Sequence, residues 1–204
     1  MIGAKTVRRL AVAMAVGAIS VSAGSSTAAA QPSAHAFEIS GEFATLRLSE
    51  SDTWSAGIGA NARWTLVRGL ALDGSVTYFP EDRQNLVLAL GGLRPTVTFG
   101  KAEVSGRARV GVLDFQKVNE PFACLAIFPA PLECQLAAGY TALAIDFGGG
   151  VDVGIAREGR LRVHAEVGDL LVRYNLNAFR SDGSVTNGFT SQNFLFNVGL
   201  GWRF

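Results

Sequence analysis

From Trp54 to Leu66 the chain places an apolar side chain at every even position and a small or polar one at every odd position, thirteen residues without a break. A period of two is the mark of a strand whose two faces meet different surroundings. Strands in water-soluble domains have a mode of about five or six residues, whereas a tilted strand that crosses a bilayer needs about 9 to 11. The length of the pattern therefore points to a membrane-spanning sheet.

The same reading predicts strands over residues 37–48, 54–66, 70–79, 86–98, 103–115, 141–156, 160–173 and 193–204. Eight is even, so an antiparallel up-and-down meander can close into a barrel. Closure is required in hydrocarbon, where each unpaired backbone N–H or C=O costs several kcal/mol. The connections after strands two, four and six are tight, around Arg68-Gly69, Gly100-Lys101-Ala102 and Arg157-Glu158-Gly159. Those after strands three, five and seven are longer, the last two reaching 116–140 and 174–192. Tight turns at one end and longer loops at the other fit a transmembrane β-barrel.

The aromatic residues sort to the strand ends, a signal independent of the alternation. Trp54, Tyr78, Phe115, Tyr140, Tyr174 and Phe194 fall at the loop end, and Phe37, Trp64, Phe99, Trp202 and Phe204 at the turn end. Two girdles at the headgroup levels are expected. In the final strand Phe194, Phe196, Val198, Leu200, Trp202 and the terminal Phe204 alternate with Asn193, Leu195, Asn197, Gly199, Gly201 and Arg203. This resembles the C-terminal strand of bacterial outer-membrane barrels, and the strand count resembles the small OmpA/OmpX-type members. The resemblance implies location in the outer membrane, contact with its lipids, and recognition of Phe196, Val198, Leu200, Trp202 and Phe204 by the assembly machinery during insertion.

An eight-stranded barrel leaves an interior just wide enough for side chains. With the apolar phase facing lipid, the residues sent inward are Glu38, Glu42, Arg63, Asp73, Arg107, Arg109, Asp146, Asp152, Arg162, His164, Glu166 and Arg203. Five arginines then meet six carboxylates and one histidine, a near balance that predicts a cross-linked polar core without an open channel, since buried charges persist only when paired. Gly91-Gly92 interrupts the phase of strand four and Gly168-Asp169 that of strand seven. Bulges are expected at both, leaving the facing of Arg94, Asp169 and Arg173 open. Gly148-Gly149-Gly150 lies within a strand, which suits close backbone packing or a bend better than a phosphate loop.

Residues 1–30 read as a signal peptide: Lys5, Arg8 and Arg9, an apolar run from Leu10 to Val21, and a small-residue end at Ala28-Ala29-Ala30. That run is too short to span as a helix. Cleavage after Ala30 leaves a short tail, 31–36, before the barrel, 37–204; the second small-residue site, Ala34-His35-Ala36, leaves none. The formal charge of +1 becomes −2 once the three leading bases are removed. Nothing strongly basic is left to bind nucleic acid. Charged residues make up 17% of the chain, below the ~25% of a typical soluble domain.

Cys124 and Cys134, the two cysteines, both lie in the longest loop, and an oxidising periplasm favours a disulfide between them over a metal pair. The enclosed Leu125, Ala126, Ile127 and Phe128 could touch a partner or fold over the barrel mouth. His164 lies between Arg162 and Glu166 on one strand face, but no second ligand histidine or serine nucleophile can be set beside it by spacing. Ser49, Ser51 and Asp52 form too common a cluster to supply one. No cofactor or metal is expected. The reading is a non-enzymatic outer-membrane barrel with a filled interior, acting in membrane integrity or surface contact through loops whose partner is unnamed. Its rivals are a narrow passive pore, a membrane-embedded lipid-modifying enzyme, and a soluble lipocalin-type ligand binder with apolar side chains inside.

Overall fold

A computed structural model describes residues 36–118, 124, 127–155, 160–180 and 182–204. The expected signal peptide, residues 31–35 of the tail, Leu125, Ala126 and the Arg157-Glu158-Gly159 turn lie outside the described residues. Eight strands form one closed antiparallel barrel in chain order: β1 (Phe37–Leu48), β2 (Thr53–Val67), β3 (Leu70–Phe79), β4 (Leu86–Phe99), β5 (Ala102–Phe115), β6 (Tyr140–Gly154), β7 (Leu161–Phe179) and β8 (Val185–Arg203). Gly69 and Gly100 take left-handed backbone angles at the tight turns β2–β3 and β4–β5, a conformation open to glycine without steric penalty.

The pairing climbs as it circles the barrel. From Phe37 the cross-strand partners run through Trp64, Leu72, Leu93, Ala108, Phe147, Asp169 and Phe194 and meet β1 again at Arg47, ten residues farther on. Such a stagger tilts eight strands by about 40°, so each residue advances about 2.5 Å along the barrel axis. About ten residues then cross the ~25 Å apolar band.

The outward phase is apolar and the charged phase is inside. Ile58 is 67% exposed and Arg107 only 4%. A soluble ligand-binding barrel would reverse these two, so the facing excludes the lipocalin-type rival. The expected bulges are corrected. β3–β4 pairing runs unbroken through Gly91 and Gly92, and β6–β7 pairing runs unbroken through Gly168 and Asp169. Leu86, Leu88 and Leu90 on β4, and Leu170, Val172 and Tyr174 on β7, share the inward parity of Arg94 and Glu166. What changes at the glycines is the chemistry of the interior, from charged to apolar, while the facing continues.

The connection expected over 174–192 is also corrected, because β7 and β8 extend as a hairpin to a turn in which the Arg180 N–H donates to the Ser184 carbonyl at 2.8 Å. Alternation persists there, with Asn175 and Asn177 set between Tyr174, Leu176 and Ala178, and a register shift between Tyr174 and Asn177 bends the ladder. A bilayer limits the length that must be apolar, and hydrogen bonding carries the ladder on into water. The loop before β6 contains a short helix, α1 (Leu132–Ala137), whose Leu132 is buried; Pro131 pairs with Phe179 on the hairpin.

Candidate functional site

The barrel interior has two parts. Toward the turn end, period-two facing points six arginines (Arg63, Arg94, Arg107, Arg109, Arg162, Arg203) and His164 at seven carboxylates (Glu38, Glu42, Asp73, Glu103, Asp146, Asp152, Glu166); all but Arg203 are buried. Every one of these carboxylates lies within 4 Å of a basic nitrogen. At the lowest level Arg203 reaches Glu38 at 3.0 Å and Glu103 at 3.3 Å, and Arg162 reaches Glu103 at 3.2 Å. Above them Arg63 lies 3.2 Å from Asp152, and Arg94 bonds Asp73 at 3.1 Å and also Glu166. Glu166 accepts from Arg107 as well, while Arg107 and Arg109 share Asp146 at 2.8 and 2.9 Å. The planar, five-donor guanidinium is what lets one arginine bridge carboxylates from several strands.

Room for these groups comes from glycine. Gly148 and Gly168 face each other across β6 and β7. A Cβ on Gly168 would sit 2.7 Å from Asp146 Oδ1 and 2.9 Å from Arg107 Nη2, and one on Gly148 would collide with the Val167 carbonyl oxygen. The glycine run on β6 is therefore a close-packing device under Arg107, within an unbroken strand.

Two members of the network were absent from the inward set read by sequence. Glu103 shares the parity of Arg107 and Arg109, so the alternation itself carried the signal. Arg94 lay beyond Gly91-Gly92, where an expected bulge made its facing ambiguous; the unbroken register turns it inward, with its side chain fully buried. Asp169 and Arg173 face outward. His164 has Glu42 as its carboxylate neighbour, 3.7 Å from Nε2, and Thr77 Oγ1 donates to the other Glu42 oxygen at 3.3 Å. Ser49 Oγ donates to the Gln192 carbonyl, Ser51 lies beside Thr53, and Asp52 accepts from Arg47. Among the described residues, no group of three or more His, Cys, Asp or Glu side chains has the geometry to hold a metal.

Toward the loop end the inward positions are mainly apolar, with Ser55, Ser191 and Asn193 as buried polar members. Leu46, Phe79, Leu88, Leu113, Ala144, Leu170, Val172 and Leu195 form a buried cluster. Aromatic rings cap it: Tyr174 stacks on Phe189 with centroids 4.7 Å apart, and Phe115 and Tyr140 lie 6.0 and 6.2 Å from Tyr174. Phe115, Tyr140 and Tyr174 were expected in the loop-end girdle, and that assignment is corrected. Each shares parity with an inward charge on its own strand, so strand periodicity turns its ring into the barrel mouth. Trp54, Tyr78 and Phe194 face outward at the loop end, and Phe37, Trp64, Phe99, Trp202 and Phe204 do so at the turn end. On β8 the side chains of Phe196, Val198, Leu200, Trp202 and Phe204 all lie on the outer face. The Phe204 N–H donates to the Phe37 carbonyl at 2.8 Å, which ties the chain end to β1.

Cys124 and Cys134 form a disulfide with Cα atoms 5.7 Å apart. Within its loop Ile127 is exposed and Phe128 is 98% exposed. No helix among the described residues is long and apolar enough to cross a membrane.

No protein-family model matches the chain, and no curated protein matches it. Among solved structures, the chain is similar to Neisserial surface protein A, with 9% identity over 84% of this chain and 98% of that one at a TM-score of 0.55. It is similar to Ail, the attachment invasion locus protein of Yersinia pestis, with 12% identity over 83% and 99% at 0.51. The N-terminal β-barrel domain of Pseudomonas aeruginosa OprF matches with 10% identity over 82% and 97% at 0.51. Strand number, closed topology and facing agree with these likenesses: the chain has the fold of the small eight-stranded outer-membrane β-barrels.

Proposed function

We propose that this protein is a non-enzymatic component of the bacterial outer membrane, exported by the signal peptide at residues 1–30 and acting in membrane integrity or surface contact through its loops. The observation that carries this reading is the filled interior. Ion pairs bridge the turn-side half, and leucine, valine and aromatic side chains occupy the loop-side half. The buried apolar cluster across the loop-side half weighs against a passive pore. An enzyme acting on lipid needs a nucleophile or base at a membrane face, and His164 lies deep in the network beside Glu42.

In this reading the outward β8 residues from Phe196 to Phe204 are the mark read by the assembly machinery, and the outer-membrane lipids are the surroundings of the barrel wall. The long β7–β8 hairpin, and the disulfide loop braced on it through Pro131 and Phe179, form the stiff projection available to a surface partner. The name of the similar Ail protein, an attachment invasion locus protein, supports contact as the role of such a projection. The test is single-channel recording of the purified protein in a planar bilayer, paired with surface-binding assays of cells that carry the protein with the 116–139 loop shortened. Absence of stable conductance together with loss of binding supports the proposal. Steady ion-selective current that changes when Arg107 or Arg109 is charge-reversed would replace it with the pore reading.

A further inference from the structure

Asp169 is a carboxylate on the outward face of β7 whose surroundings are apolar: Val167 and Leu171 on its own strand, Phe147 on β6 and Phe194 on β8. It is exposed and has no hydrogen bond or ion pair among the described residues. Phe194 separates it from Arg47, which is the next member of the same cross-strand row on β1. Arg47 is exposed as well. Asp52 engages its Nε and Nη2, at 3.2 and 2.7 Å, leaving Nη1 for a further acceptor. An acid and a base thus flank one aromatic ring on a wall that is otherwise lipid-facing.

We infer that the β7–β8–β1 wall binds a second copy of this chain, with Asp169 of each copy paired to Arg47 of the other around the two Phe194 rings. Copies inserted in the same direction are related by a twofold axis along the membrane normal. That operation sets the left side of the patch against the right side of its mate, as an isologous interface requires. Strand tilt raises the row by about 3 Å per strand, so Asp169 and the facing Arg47 differ in height by about 6 Å. An arginine side chain spans that offset. Apolar burial gives no driving force between surfaces already in lipid, so a polar pair set in an apolar wall is the element able to select a partner.

The test is energy transfer between donor- and acceptor-labelled copies of the full-length mature protein in phospholipid vesicles, read as the lipid-to-protein ratio rises. Heat modifiability on gels verifies that each variant is folded, and flotation with the vesicles verifies insertion. The wild type should associate. Asp169→Arg or Arg47→Glu should each weaken association by about tenfold, and the double reversal should restore it. Asp169→Asn, which keeps the shape, should weaken it less than the reversal. Inserted wild-type protein that stays monomeric at every ratio, single reversals without effect, or a double reversal that fails to restore association would each overturn the inference. A monomer whose vesicle binding follows Asp169 would instead assign that carboxylate to lipid headgroups. Failure to float would count against the membrane location proposed above, separately from dimerisation.

Discussion

The turn-side and loop-side halves of the interior are built on the same eight strands with the same inward parity, yet they are filled by opposite chemistry. The turn-side half holds desolvated charges, each dependent on partners from other strands. The loop-side half holds mainly leucine, valine and aromatic side chains, which chiefly need complementary volume. The difference teaches that a narrow barrel can be closed in two ways with unequal tolerance. An ion-pair network fails when one member is lost, because the partner is left charged and unsatisfied, whereas an apolar cluster loses area and gains a cavity.

The largest expected effect is at the hub of the network. Glu166→Ala strips Arg94 and Arg107 of a shared acceptor and should cost about 3–5 kcal/mol, read by urea unfolding of the barrel in detergent micelles. In the apolar half, Leu170→Ala should cost about 3 kcal/mol through transfer and cavity terms. A larger loss at Leu170 than at Glu166 would break the contrast and make the charged half the more forgiving one. The comparison sharpens at a single methyl group. Gly168→Ala pushes a Cβ into the Asp146–Arg107 contact and should cost about 1–3 kcal/mol, while Gly41→Ala, with no atom within 4 Å of the added carbon, should change stability by no more than about 0.5 kcal/mol. Equal effects at the two glycines would mean that the network relaxes around added volume.

Much of the architecture was legible because a strand encodes its facing directly. The Trp54–Leu66 alternation predicted both the length of β2 and its two surfaces, and the charges on the polar phase were assigned inward one by one. Glu103 could have been assigned in the same way, two positions before Ser105 and four before Arg107 on one face. The errors arose where the sequence was read with one rule for the interior. Leu170, Val172 and Tyr174 looked like a reversal of phase at Gly168-Asp169, since apolar was equated with outward. They are inward, and the outward group at that point is the carboxylate of Asp169. Phe115, Tyr140 and Tyr174 went to the wrong surface for the same reason. The hairpin beyond Tyr174 was expected as loop, whereas backbone hydrogen bonding carries the ladder on past that point.

By itself, then, the amino-acid sequence determined the strand number, the alternation of surfaces, and the presence of opposite charges in near balance, because each of these is a local or additive property of the chain. Only the tertiary structure decided which charges meet, where the polar interior gives way to an apolar one, and that Asp169 and Arg47 flank Phe194 on one wall. Those relations depend on the ten-residue stagger of the closed sheet, which brings β1 beside β8 at a height no single strand encodes.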